Sequence, residues 1–104
     1  MATNFNFNSS ESEYKPAAST ATDLDVPWQV VVYNDSVNLM GYVVMVFCRV
    51  FGYDKEKSSQ HMKEVHEMGR SVLWTGVREK AENYVHLLQK WQLNAGLRRE
   101  DDSF

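Results

Sequence analysis

The stretch WQVVVYNDSVNLMGYVVMVFCRVF, residues 28–51, constrains the fold more than any other part of this chain. It opens with β-branched and aromatic residues, breaks at Asn34, Asp35 and Ser36, and resumes as a second apolar run. Neither run can be left in water, because fully burying one Val, Leu or Phe side chain stabilises by about 1.5–3 kcal/mol. The first run, Trp28 to Tyr33, predicts a strand, since such side chains fit a pleated sheet. The second, Leu39 to Phe51, is long for a strand and apolar nearly all round. It predicts a central, buried helix with Asn38 as its N-cap and Gly52 as its stop. The polar residues between them form a turn, because Asn, Asp and Ser side chains bond back to local backbone. An amide and a carboxylate at that bend serve either as a plain turn or as the polar lip of an apolar pocket.

Further along, Asp54 caps a second helix over Lys55 to Met68, with Glu56 in its first turn and Gly69 beyond its end. SVLWT, residues 71–75, predicts a second strand. A third helix is expected from Arg78 to Asn94, with Ala81, Tyr84, Val85, Leu88 and Trp91 on one face and Gly96 closing it. A short edge strand starting at Leu97 would complete the order β-α-α-β-α-β. Strands this few and short predict a small sheet covered on one face by helices, an α+β fold. Residues 1–25 are rich in Ser, Thr, Asn, Ala and acids and lack apolar periodicity, so a disordered N-terminal extension is expected there. The folded domain is expected over residues 26–104.

Whole classes of function are disfavoured by the totals. The 104 residues suffice for one small domain. A net charge of −3 gives no electrostatic case for nucleic acid or an anionic membrane. The longest apolar stretch is too short to span a bilayer and contains Arg49, and no signal peptide is apparent. Cys48 is the single cysteine and is expected to be a buried structural thiol in a reducing compartment, hence a cytoplasmic protein. His61 and His66 are five apart, which is wrong for joint ligation from one helix face, and no metal is expected. Cys48 with His66 is the one nucleophile–base pairing available, but a thiolate is disfavoured in an apolar helix. No phosphate-binding glycine loop is present. The expectation is a protein that is not an enzyme and needs no cofactor.

Binding chemistry remains. Met62, Val65 and His66 share a helix face, with Ser58 and Ser59 one turn earlier, and the first helix can offer Met40, Val43, Val44 and Phe47. If these faces meet beside the Asn-Asp turn, Asn34, Asp35 and His66 ring a pocket floored by methionines and valines. Asn supplies an acceptor oxygen, neutral His an acceptor nitrogen and Asp a negative charge. That set suits a small cationic donor such as an α-amino group, with an apolar side chain lying behind it. The competing expectation is a small interaction domain with no ligand pocket.

The elements YND, NLM after a short turn, and M..VH..G occur here in an order and spacing that resembles the ClpS family of protease adaptors, over about Pro27 to Leu97. NDSVNLM is most similar to the actinobacterial branch. The resemblance implies three helices on a three-stranded antiparallel sheet. It implies a monomeric adaptor that binds N-degron substrates through a bulky N-terminal Leu, Phe, Tyr or Trp and its free α-amino group. The adaptor delivers them to the N-terminal domain of a ClpA- or ClpC-type AAA+ unfoldase coupled to ClpP. By the same resemblance Asn34, Asp35 and His66 hold the α-amino group. Ser36, Asn38, Met40, Val43, Met62, Val65 and Leu97 form the hydrophobic pocket, and Glu79 and Tyr84 contact the unfoldase. The N-terminal extension would engage the unfoldase during transfer. The chain departs from the family pattern at Ser36, where a second Asp is common, and at Asn38, where Thr is common.

Overall fold

The structure, a computed structural model, describes residues 26–102. Three strands form one antiparallel sheet in the order β2-β1-β3: β1 is Trp28–Tyr33, β2 is Arg70–Gly76 and β3 is Ala95–Arg99. The strand with the densest β-branched run takes the middle. Val30, Val31 and Val32 are all essentially inaccessible, as expected of a strand with neighbours on both sides. Val30 pairs with Trp74 and Leu97, and Val32 with Ser71 and Ala95. The register with β2 shifts between Val30 and Val31. β3 is longer than the sequence suggests, because its first residues complete the pairing of β1.

Three helices complete the order β1-α1-α2-β2-α3-β3: α1 is Met40–Phe51, α2 is Lys55–Met68 and α3 is Arg78–Lys90. One core unites Val30 and Val32 of the sheet with Val46 and Phe47 of α1, Val65 of α2, and Ala81 and Leu88 of α3. The helices therefore cover one face, and the fold is the two-layer α+β sandwich expected. Asp54 caps α2, its carboxylate accepting from the Lys57 amide at 2.7 Å, and Gly69 ends that helix at φ 89.

The expected central burial of α1 is corrected. Only Val46 and Phe47 are fully buried, while Met40, Gly41 and Arg49 are exposed. A layer of helices on a small sheet leaves each helix an outer side, and the flanks of α1 are used in two different ways. Its C-terminal end joins a ring cluster: Phe51 stacks on Tyr53 at 5.1 Å between centroids and meets Tyr84 at 4.8 Å, and Tyr84 meets Trp74 at 5.0 Å. Its N-terminal end borders a hollow. Cys48 is half-buried rather than buried, and its thiol donates to the Ser58 hydroxyl at 3.3 Å.

Two helix ends also differ from expectation. Asn38 is not the N-cap of α1. That position is Leu39, which makes no side-chain cap bond, and the Asn38 amide donates instead to the Gln92 carbonyl at 3.0 Å. Nor does Gly96 close α3. The helix ends at Lys90, and the turn that follows is a Schellman motif. The Leu93 amide donates to the Leu88 carbonyl at 3.0 Å and the Gln92 amide to the Gln89 carbonyl at 2.9 Å. Gln92 holds φ 72 where glycine is usual, at a cost on the order of 1 kcal/mol. The buried pair Leu88 and Leu93 supplies the apolar contact that goes with this motif. Gly96 lies in β3, where the ring of Tyr33 would stand 3.4 Å from an added Cβ.

No helix among the described residues is long and apolar enough to cross a membrane. The N-terminal extension expected over residues 1–25 lies outside the described residues.

Candidate functional site

The end of β1 is held by both neighbouring strands. The Tyr33 amide donates to the Asn94 carbonyl at 2.8 Å, just before β3, and the Asn34 amide donates to the Gly69 carbonyl at 2.9 Å, just before β2. The polar turn then leaves the sheet. Asp35 closes an Asx-type turn, with its Oδ1 accepting from the Val37 amide at 2.9 Å. This engages one carboxylate oxygen and leaves the other without a protein partner among the described residues.

Beside that turn lies a cavity of about 310 Å³. This is near the lower bound of ligand pockets, enough for one large side chain rather than an extended small molecule. The β1–α1 segment lines it with Asn34, Asp35, Ser36 and Asn38, and the start of α1 adds Met40 and Val43. α2 contributes Met62, Val65 and His66 at helical spacing. The structure thus brings together nine of the residues expected here, from two separate stretches of chain, 34–43 and 62–66. Val43 and Met62 are half-buried and Val65 is buried, so the floor is apolar. Asn34 and His66 are exposed, so the lip is polar. Neither the Asn34 carboxamide nor the His66 imidazole has a hydrogen-bond partner among the described residues, which leaves both free to accept from a ligand.

Leu97 does not line this cavity and is corrected. It sits in mid-β3 opposite Val30 and packs against the core. The wall expected of it is made by Leu93 and Asn94, in the turn between α3 and β3. Leu39 also lines the mouth and is 79% exposed, and Val37 beside it is 82% exposed. Reading the end of α3 at Asn94 hid the role of the turn. The Leu88–Leu93 spacing of five, with polar Gln92 between Trp91 and Leu93, is the signal that could have revealed it. Glu79 and Tyr84 lie away from the cavity. Glu79 is exposed in the first turn of α3, whereas the Tyr84 ring is packed between Phe51 and Trp74.

His61 faces elsewhere than its neighbour Met62. Its Nδ1 lies 2.8 Å from the Ser71 hydroxyl, which donates to Glu64 at 2.5 Å, so the imidazole must donate to Ser71. Burial lowers the His61 pKa, Glu64 opposes that shift and Lys57 adds to it. This chain of bonds ties α2 to β2. A second, more open hollow of about 570 Å³ beside it is lined by the polar and charged residues Asp54, Glu56, Lys57, Gln60, His61 and Glu64. Among the described residues no three His, Cys, Asp or Glu side chains are grouped to hold a metal ion.

These elements make a two-layer α+β domain with a polar-lipped apolar cavity at one end of its sheet. Residues 24–99 match the family model described as ATP-dependent Clp protease adaptor protein ClpS. An ATP-dependent Clp protease adapter protein ClpS of Nocardia farcinica is 38% identical over 102 residues, covering 94% of this chain and 96% of that one. Its counterpart in Streptomyces avermitilis is 45% identical over 76 residues, covering 73% and 72%. The ClpS2 of Agrobacterium tumefaciens, solved bound to L-phenylalaninamide, superposes with a TM-score of 0.69 at 20% identity, covering 73% of this chain and 99% of that one. At that identity the likeness is one of fold. The chain belongs to the ClpS family, adaptors of the ATP-dependent Clp protease that are not themselves catalytic.

Proposed function

We propose that this adaptor captures protein chains by their first residue, taking a bulky apolar side chain into the cavity and the free α-amino group at its lip. The observation that carries this reading is the pairing of an apolar floor with unengaged acceptors at one opening. Asn34 accepts through its carboxamide oxygen, neutral His66 through a ring nitrogen, and Asp35 supplies charge through the oxygen its own turn leaves open. Burying an aromatic side chain of 150–250 Å² offers roughly 4–6 kcal/mol gross. Each charge-assisted hydrogen bond adds about 1.5–3 kcal/mol. After the costs of association, a dissociation constant on the order of micromolar follows. The L-phenylalaninamide held by the Agrobacterium relative has the same chemistry, a benzyl side chain beside a free α-amine.

The bound substrate is handed to a ClpA- or ClpC-type unfoldase, with the exposed first turn of α3 around Glu79 and the neighbouring Tyr84 as the contact. Residues 1–25 engage the unfoldase during transfer, and the adaptor acts as a monomer in the cytoplasm. A peptide beginning with Phe or Leu is expected to bind at micromolar concentration, and its N-acetylated twin is not. Equal binding of the two in a fluorescence-anisotropy titration sinks the reading.

A further inference from the structure

One wall of the cavity is made by two loops that are far apart in sequence. Asn38 belongs to the β1–α1 loop, and Leu93 and Asn94 belong to the α3–β3 turn. A single side-chain bond joins them across 54 positions, from Asn38 Nδ2 to the Gln92 carbonyl at 3.0 Å. A second bond lies just behind it, from the Tyr42 hydroxyl to the Trp91 carbonyl at 2.6 Å. The acceptor is a main-chain carbonyl, so the orientation of the Asn38 amide is settled: the nitrogen must face Gln92 and the oxygen must face away. The left-handed conformation of Gln92 belongs to the Schellman turn that also delivers Leu93 into the cavity wall. The wall therefore stands where the strained turn and the Asn38 amide jointly hold it.

We propose that Asn38 is a positioning residue whose amide latches the β1–α1 loop to the α3–β3 turn. Through that latch it sets the width of the cavity between the Met40–Val43 side and the Leu93–Asn94 side. The proposal rests on the first-residue reading for its consequence in specificity, though not for the latch itself. The first residues to feel a change in width are those whose side chains fill the cavity. Asn34 and His66 are not themselves bonded to Asn38, so the latch acts on the cavity wall rather than on the lip. A side chain too short to span the loops, or one that cannot donate, releases the turn. Asn38→Asp is nearly isosteric but sets a carboxylate against the Gln92 carbonyl. Asn38→Gln keeps the donor on a longer tether.

Two measurements on the full chain decide the matter. Amide hydrogen exchange reads the latch without any ligand. In Asn38→Asp the Leu93 amide and the Tyr33 amide, which donates to Asn94, should exchange about threefold to tenfold faster than in the parent, as expected for loss of one net hydrogen bond. Asn38→Gln should recover most of that protection. Titration with peptides that differ only in a first Leu, Phe or Trp reads the width. The Leu-to-Trp affinity ratio should move by at least about threefold in Asn38→Asp, while N-acetylated peptides stay unbound. Unchanged exchange overturns the latch. Faster exchange with an unchanged affinity ratio overturns its role in setting width. If the parent protein binds no unblocked peptide, the first-residue reading fails, and the exchange arm still decides the latch.

Discussion

The two ends of α1 are equally apolar and have opposite fates. At the C-terminal end, Phe51 meets Phe47, Tyr53 and Tyr84, Tyr84 in turn meets Trp74, and rings fill the space between helix and sheet. At the N-terminal end, Met40 and Val43 face Met62 and Val65, and about 310 Å³ stays open. The contrast shows that a hollow is made by missing volume rather than by missing hydrophobicity. Each ring buries about 150–250 Å², and unbranched or three-carbon side chains at the other end cannot reach as far. The loops that close that end are tied by hydrogen bonds to backbone carbonyls, which fixes their spacing.

The comparison is broken most severely at the filled end. Phe47→Ala removes a ring with no exposed surface and should cost about 3–5 kcal/mol in urea unfolding. At the open end the same kind of experiment should split stability from binding. Asn34→Ala or His66→Ala should weaken capture of a Phe-initiated peptide by about 1.5–3 kcal/mol, roughly tenfold or more. Unfolding free energy should stay within about 0.5 kcal/mol of the parent, because both side chains are exposed. Val43→Phe sharpens the contrast by importing a ring to the empty end. It should abolish peptide binding in calorimetry with little loss of stability, whereas a packed site in its place would show overpacking costs of about 1–3 kcal/mol.

A smaller effect is expected in acid. His61 has its pKa lowered chiefly by burial, so the folded protein binds a proton there less readily than the unfolded chain, which does so near the ordinary 6.5. The unfolded state then holds more protons as pH falls through that value, and stability declines until the folded state titrates too. His61→Gln should flatten this part of the stability–pH curve, which denaturant midpoints at pH 7 and pH 5 would read. Smallest of all, Gln92→Gly relieves the left-handed residue and should stabilise by no more than about 1 kcal/mol, with its thermal midpoint slightly raised.

Much of this architecture was legible because period and punctuation agree. The β-branched run of β1, the Asp54 cap, Gly52 and Gly69 beyond their helices, and the Met62, Val65 and His66 face all carry local signals. What was not legible depends on long-range choices. Asn38 has the right chemistry for a cap, yet a carbonyl 54 residues away wins its amide. Gly96 looked like a helix stop, but Gln92 took the left-handed position because Leu88 and Leu93 gain burial by that turn. Leu97 was assigned to the cavity from family likeness, and pairing with Val30 carries it to mid-strand instead. The all-apolar α1 could not reveal which of its ends would be filled and which left open, since periodicity encodes facing and not volume.

The forked clamp on β1, with one terminal amide held by Asn94 and the next by Gly69, has a kinetic consequence. Asn34 emerges from backbone tied to both neighbouring strands, so on the proposed reading an arriving chain would meet a socket already assembled. Encounter should then proceed without a gating rearrangement, and differences between good and poor clients should be written in how long they stay rather than in how quickly they arrive.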